Sequence, residues 1–168
     1  MGDDAGTITQ PVLLDNTVLT NLALVTRTDL VRRLWPTAVC TTPSVIAEYE
    51  AGVAGGSLPP DAWTDLPVVT PTDAESALAV SLSPRLGQGE RTCLAVAAYR
   101  HGLFASDDLD ARRAAERHGI PTTGTVGILA LCVRRGYSPR DQADVLLSEM
   151  IASGYRSPVD SLAPLLDE

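Results

Sequence analysis

The chain has 168 residues, of which 45% are hydrophobic, and a formal net charge of -8. A chain of this length accommodates one domain with a substantial core, and none of its apolar runs is long enough to span a bilayer. Its basic residues are 13 arginines without a single lysine, which argues against a broad basic surface for nucleic acid and leaves room only for a local arginine patch. The same composition hints at a salt-adapted source.

The N-terminal stretch MGDDAGTITQ has neither the basic region nor the apolar segment of a signal peptide. We therefore expect a cytoplasmic protein with a flexible leader at 1–10, one domain at 11–154, and a tail at 155–168 that packs on the domain. The three cysteines are scattered without a CxxC pair, so we expect reduced, buried thiols rather than zinc ligands.

Short apolar runs alternate with helical patterns along the chain. The predicted strands are PVLLD (11–15), TAVCT (37–41), LPVVTP (66–71), LFAS (103–106) and IPTTG (120–124). Helices are predicted at 18–24, 29–34, 45–52, from the capping box at 72–75, and at 90–101, 109–118, 125–135 and 138–153. This alternation predicts an α/β fold, with three α/β/α layers around a central five-stranded parallel sheet.

Acidic residues stand at the ends of these predicted elements. Asp15 and Asp107 each end a strand, and Asp108 follows at once. Glu90 opens the helix before the fourth strand, and Glu48 lies one turn into the helix after the second. In open parallel sheets, ligands bind beyond the carboxyl ends of the strands, where the strand order reverses. If the first and fourth strands are neighbours there, these carboxylates can share one pocket.

Clustered carboxylates repel one another unless a cation neutralises them. We therefore expect a hard divalent cation, Mg²⁺ or Mn²⁺, bound through oxygen ligands. Such ions activate water and stabilise the leaving oxygen in phosphodiester hydrolysis. Each acid also has an ordinary explanation as a helix cap, a charge at a helix start or a solvated side chain. It is the joint occurrence of these acids that favours a site.

Arg112, four residues after Asp108, fits an ion pair and a substrate contact equally well.

Four stretches of the chain carry a further pattern. VLLDNTVLTNL combines Asp15 with a small hydroxyl residue, Thr17, and TPSVIAEYEAG contains Glu48. LGQGERTCLAVA places Glu90 in a Gly-x-Gly-Glu turn. The fourth stretch, ASDDLDARRAAERHGIPTTGTVGIL, contains Asp107, Asp108, Arg112 and Thr125. Over roughly residues 11–136 these stretches resemble the motifs of PIN-domain ribonucleases, a family that includes VapC-type toxins.

The resemblance implies a Mg²⁺- or Mn²⁺-dependent endoribonuclease that cuts single-stranded RNA. It also implies a homodimer and, in the toxin branch, an antitoxin protein as partner. The catalytic residues that it implies are Asp15, Glu48, Glu90 and Asp107. The implied metal ligands are Asp15, Glu90, Asp107 and Asp108, and the implied substrate-binding residues are Thr17, Arg112 and Thr125.

Other phosphate-handling folds fit the sequence less well. A receiver domain needs a lysine, and a haloacid-type phosphatase needs Asp-x-Asp where this chain has Asp15-Asn16-Thr17. The GxxxxGK phosphate-binding loop is absent. The serious alternative is a PIN-like binding or scaffold module with weak or no catalysis. A response of thermal stability to Mn²⁺ would discriminate between the two.

Overall fold

The computed structural model describes residues 10–167, so the predicted leader at 1–10 lies outside the described residues except for Gln10. Within this range four strands form one parallel sheet: β1 (Val12–Leu14), β2 (Val39–Cys40), β3 (Leu103–Ala105) and β4 (Thr122–Thr123). Their order is β2-β1-β3-β4. The predicted α/β class and parallel sheet are confirmed.

The five-stranded sheet expected from the sequence is not confirmed among the described residues. The run at 66–71 contributes a single parallel bridge, between Val68 and Thr41, next to β2. Pro67 and Pro71 have no backbone N–H to donate to a sheet, which limits pairing to this one point at the edge. Val68 is also 40% exposed, so the run lacks the continuous burial expected for it.

Helices fill most of the remaining described chain. In chain order they are α1 (Asn16–Leu24), α2 (Asp29–Leu34), α3 (Pro43–Ala54), α4 (Asp73–Ser81), α5 (Gln88–Arg100), α6 (Leu109–Arg117), α7 (Thr125–Arg134), α8 (Arg140–Ala152) and α9 (Ala163–Leu166). The predicted capping box is present at the start of α4, where Thr72 and Glu75 bond to each other's backbone N–H groups. No helix in the described range is long and apolar enough to cross a membrane.

The core is aliphatic, as the composition requires. Leu13, Leu14 and Phe104 on the two central strands are fully buried, and α5 packs against both strands. Burying one such side chain contributes about 1.5–3 kcal/mol relative to leaving it in water. The three cysteines are free and buried, as predicted. This packing makes the central strands a rigid support for whatever stands at their carboxyl ends.

The strand order reverses between β1 and β3. After β1 the chain moves outward to β2 and then returns to form β3 on the other side of β1. The two strand ends are joined closely, because the backbone N–H of Asp15 donates to the carbonyl of Ala105 at 2.9 Å. Asp15 and Ser106 therefore stand side by side at this point, which is where parallel sheets bind ligands.

Candidate active site

Asp15 is the most deeply buried acid of the site, with only 2% of its surface exposed. It caps α1 by accepting the backbone N–H of Asn16 at 2.7 Å. Its other oxygen accepts the hydroxyls of Thr17 at 3.2 Å and Ser106 at 2.8 Å. Burial raises the pKa of Asp15 to about 6, against the lowering effect of the bonds from Ser106 and Asn16, and the negative charge of Glu48 raises it further.

Glu90 and Glu48 meet at the start of α5. Glu90 Oε2 accepts the backbone N–H of Gly87 at 2.9 Å, and Glu48 Oε1 accepts that of Gly89 at 3.0 Å. Burial raises the pKa of Glu90 to about 7. The negative charges of Asp15, Asp108 and Glu48 raise it further. The charges of four acids therefore act on one another. These four residues are here named the acid cluster: Asp15, Glu48, Glu90 and Asp108.

The glycine turn before α5 is what allows Glu48 to reach this cluster. A Cβ atom at Gly89 would lie 2.8 Å from Glu48 Oε1 and 2.9 Å from Val45 Cγ2, closer than real contacts allow. A residue with a side chain at this position would have to push the Glu48 carboxylate off the helix start. The Gly-x-Gly-Glu turn thus binds the carboxylates of two glutamates: the N–H of Gly87 donates to Glu90, and the N–H of Gly89 donates to Glu48.

Asp107 stands apart, because its carboxylate already accepts four hydrogen bonds. Oδ1 accepts the backbone N–H of Thr125 at 2.7 Å and the hydroxyl of Tyr155 at 3.1 Å. Oδ2 accepts the amide of Asn21 at 3.0 Å and the hydroxyl of Thr125 at 2.5 Å. Four bonds fill the usual capacity of a carboxylate. Asp107 therefore ties together α1, the start of α7 and the C-terminal segment.

Asp108 is the member of the Asp pair whose carboxylate keeps an oxygen available. It caps α6 by accepting the backbone N–H of Ala111 through Oδ1 at 2.8 Å. Its own N–H donates to the hydroxyl of Ser106 at 3.1 Å. Among the described residues, none donates a hydrogen bond to Oδ2. Because the negative charge of Asp108 also raises the pKa of Glu90, Asp108 belongs to the acid cluster, whereas Asp107 does not.

The three predicted substrate-binding residues take part in the same framework. The Thr17 hydroxyl donates to Asp15 and accepts the backbone N–H of Asp107 at 3.0 Å. Thr125 is fully buried beneath Asp107. Arg112 donates to the carbonyl of Ser106 at 3.2 Å and makes no ion pair with Asp108 within the described residues.

Sequence reasoning missed three polar residues that organise the site. Ser106 bonds Asp15 and Asp108 at once, and its place just before the Asp pair is a signal that could have found it. Asn21 lies one turn after Thr17 on α1, so the helical spacing also pointed to it. Tyr155 had no local signal, because it reaches Asp107 from 48 residues away in the chain.

The donor set fits a hard divalent cation. Within residues 10–167 no three His, Cys, Asp or Glu residues already converge closely enough to hold a metal ion. The acid cluster nevertheless supplies carboxylate oxygens whose burial, together with their mutual repulsion, raises the pKa values of Asp15 and Glu90. Next to Asp15, Oδ1 of Asn16 is buried without a hydrogen-bond partner. Oxygen donors that repel one another beside an unpaired amide oxygen are the ligands that Mg²⁺ and Mn²⁺ take.

The metal-free protein should lose stability as pH rises from about 5 to about 7. Asp15 and Glu90, with pKa values of about 6 and about 7, keep their protons when folded but lose them near pH 4 when unfolded. The free energy of unfolding therefore falls with pH, by about 3 kcal/mol for Asp15 alone between about pH 4 and pH 7, with about half of that loss above pH 5, and the titration of Glu90 extends the fall to about pH 8. Chemical denaturation in EDTA across pH 5–8 measures this.

Carboxylates with lowered pKa values do not mask this trend. Burial tends to raise the pKa of Glu75, but hydrogen bonds from Arg100 and Thr72 bring it below its ordinary value of 4.5. The stability that Glu75 contributes is complete above that pH and is lost only in stronger acid. A wild-type profile that is flat or rises between pH 5 and 7 would contradict the assignment of Asp15 and Glu90.

Comparison with known proteins assigns the chain to a family. A search of curated proteins finds no match for it. The family model DUF3368, described as a PIN domain, matches residues 11–168. This match begins just before β1 and continues through α9, so it includes every residue of the acid cluster and the segment that carries Tyr155. The chain belongs to the PIN-domain family.

Proposed function

We propose that the protein is a divalent-metal-dependent endoribonuclease that hydrolyses phosphodiester bonds of single-stranded RNA. Membership of the PIN-domain family supports a nuclease. The observation that carries the proposal is the acid cluster at the reversal of strand order, where burial and mutual repulsion raise the pKa values of Asp15 and Glu90. Without a cation such a cluster destabilises the folded protein, and with a cation it can serve as a metal-binding site.

Asp15, Glu90 and Asp108 would hold Mg²⁺ or Mn²⁺, with Glu48 at the edge of the same cluster. The bound ion would supply an activated water and stabilise the leaving oxygen of the phosphodiester. Asp107, predicted from the sequence as a metal ligand, is proposed here as a positioning residue. Its four hydrogen bonds hold the loop that presents Ser106 and Asp108.

The chain prepares this arrangement before any ligand arrives. Hydroxyls of Ser106 and Thr17 orient the Asp15 carboxylate, and backbone N–H groups of the glycine turn orient Glu48 and Glu90. Groups fixed in this way need little rearrangement on binding, which is the usual condition for an efficient site. Thr125 would act on substrate only through Asp107, because it is fully buried.

A cleft beside the acid cluster has the chemistry of a nucleotide site. Its volume is about 380 Å³, and its lining includes Asn16, Thr17, Asn21, Asp108, Tyr155 and Arg156. Amide and hydroxyl groups can bond to a base edge or a ribose, and an aromatic ring can stack on a base. Base edges and faces are free in single strands, which supports single-stranded rather than duplex RNA as the substrate.

A scaffold without catalysis explains the acid cluster poorly. Carboxylates that repel each other in a buried place reduce stability, and a module that binds no cation gains nothing from keeping them.

The resemblance to VapC-type toxins extends the proposal to a homodimeric cytoplasmic toxin with an antitoxin partner. A small reading frame abutting this one, encoding a protein that blocks cleavage, would support that role.

Mn²⁺ should raise the melting temperature of protein that has been stripped with EDTA. Binding at 100 times the dissociation constant stabilises the folded state by about 2.7 kcal/mol. For a domain of this size that corresponds to roughly 5–10 °C. Differential scanning calorimetry at pH 7.5 measures the shift. Glu90→Gln should remove most of it, because the variant loses a proposed ligand.

Glu116→Gln is the matched control, since Glu116 is an exposed glutamate near the end of α6, about 12 Å along the helix from Asp108. It should keep the full response to Mn²⁺. A wild-type protein that does not respond, or a response that Glu90→Gln and Glu116→Gln share equally, would refute the metal site.

A further inference from the structure

A second cleft, of about 340 Å³, lies between α6 and the loop before α5. It is here named the arginine cleft, and its lining residues are Ser83, Arg85, Leu86, Asp110, Arg113 and Arg117. Nothing in the proposed metal chemistry uses these residues. Three arginines around one cleft are unusual in a chain that has no lysine and a net charge of -8.

The fold places these three arginines around the same cleft. Arg113 and Arg117 are four residues apart on α6, so they lie on one face of the helix together with Asp110. Arg85 comes from the opposite wall, a loop anchored by the buried side chain of Leu86 and by a bond from the Arg85 N–H to the Ser83 hydroxyl at 3.3 Å. The cleft is thus lined by basic groups from two separate parts of the chain.

The positive charge of this cleft is largely uncompensated. Within the described residues, neither Arg85 nor Arg117 makes an ion pair. Arg113 approaches only Asp110, at 3.7 Å, and the two side chains are 60% and 71% exposed. Exposed pairs of this kind are weak and are exchanged easily for another anion. Three guanidinium groups are therefore available to a ligand that carries several negative charges.

Both walls of the arginine cleft are connected along the chain to the acid cluster. One wall, α6, is capped by Asp108, and at 1.5 Å per residue Arg113 and Arg117 lie about 7.5 and 13.5 Å along the helix from that residue. The other wall leads directly into Gly87, whose N–H binds Glu90. A polymer lying in the arginine cleft would therefore run into the acid cluster at one end.

We infer that the arginine cleft binds the phosphodiester backbone of the RNA on one side of the bond that is cut. This inference rests on the proposed ribonuclease function. An acid cluster repels phosphates, so a polyanion needs an anchor beside it to approach. Guanidinium groups bind phosphate oxygens in pairs of parallel hydrogen bonds. Contacts to the backbone hold the strand without reading its sequence.

The test is binding of labelled single-stranded RNA in EDTA, where no cleavage occurs, over a range of salt concentrations. The variant Arg85→Ala/Arg113→Ala/Arg117→Ala should bind at least ~10-fold more weakly. Its plot of log affinity against log salt should be less steep by up to about 2, because about 0.7 is lost for each phosphate contact. With Mn²⁺ the variant should show a raised KM and a nearly unchanged kcat.

The matched control is Arg32→Ala/Arg33→Ala/Arg135→Ala, which removes the same charge from α2 and the end of α7. It should bind RNA almost as wild type does. Equal losses in both triple variants, or none in the arginine-cleft variant, would overturn the inference. A third result would also overturn the inference: an arginine-cleft variant that binds RNA normally but no longer binds a polyglutamate peptide. That result would show that the cleft binds an acidic protein instead of RNA.

The outcomes separate this inference from the ribonuclease proposal. If wild type cuts RNA and the arginine-cleft variant binds it normally, only the inference fails. If wild type binds RNA through the cleft but does not cut it with Mn²⁺, the nuclease proposal fails and the cleft stands as an RNA-binding site.

Discussion

Replacing Asp15 by asparagine should abolish metal-dependent RNA cleavage and, in EDTA, make the protein more stable. Asparagine caps helices as well as aspartate does, so α1 keeps its start. The variant loses the negative charge whose burial raises the pKa of Asp15 to about 6. We expect a gain of roughly 1–3 kcal/mol in the free energy of unfolding at pH 8.

Cleavage by Asp15→Asn should fall by at least ~100-fold, because even residues that only support metal ligands typically contribute 10–100-fold. Cleavage of labelled RNA and urea denaturation in EDTA measure the two effects. Asp61→Asn, at an exposed loop position, is the control and should change neither. An Asp15→Asn protein that cuts RNA normally, or that is less stable than wild type at pH 8, would contradict the role given to Asp15.

The adjacent residues Asp107 and Asp108 should respond in opposite ways to substitution. Asp107→Ala leaves the Thr125 N–H and the Tyr155 hydroxyl without their acceptor and removes one of the two acceptors of the Asn21 amide, which should cost about 2–4 kcal/mol of stability. That corresponds to a fall of roughly 4–16 °C in Tm. Asp108→Asn keeps the cap on α6, so its stability should stay within about 0.5 kcal/mol of wild type. Its RNA cleavage should nevertheless be lost.

Calorimetry in EDTA and cleavage of labelled RNA, made on both variants, distinguish these roles. Asp108→Asn serves as the stability control for Asp107→Ala, because both remove one carboxylate from the same loop. The reverse pattern, a stable but inactive Asp107 variant and a fully active Asp108→Asn protein, would show that Asp107 is the ligand and Asp108 only a cap.

The elements that sequence predicted well are those set by local pattern. The helix at 29–34 and the capping box of α4 appear at their predicted positions, since caps and apolar spacing act within one or two turns. The run at 66–71 was predicted from its apolar residues. Its prolines were the stronger signal, and they reduced the strand to one bridge.

The site was predictable only in part. A pocket shared by acids at strand and helix ends requires β1 and β3 to be neighbours, and the sheet order shows that they are. The separate environments of Asp107 and Asp108 could not be predicted from local pattern. They depend on partners that lie 18, 48 and 86 residues from Asp107, namely Thr125, Tyr155 and Asn21. Such contacts exist only once α1, α7 and the C-terminal segment have packed together.

The central claim is that the acid cluster binds a divalent cation that drives RNA hydrolysis. Its most direct test is incubation of the purified wild-type protein with end-labelled single-stranded RNA, first in EDTA and then after excess Mn²⁺ is added. We predict intact RNA in EDTA and internal cleavage after Mn²⁺ is restored. RNA that stays intact with Mn²⁺, or that is cut equally in EDTA, would contradict the claim.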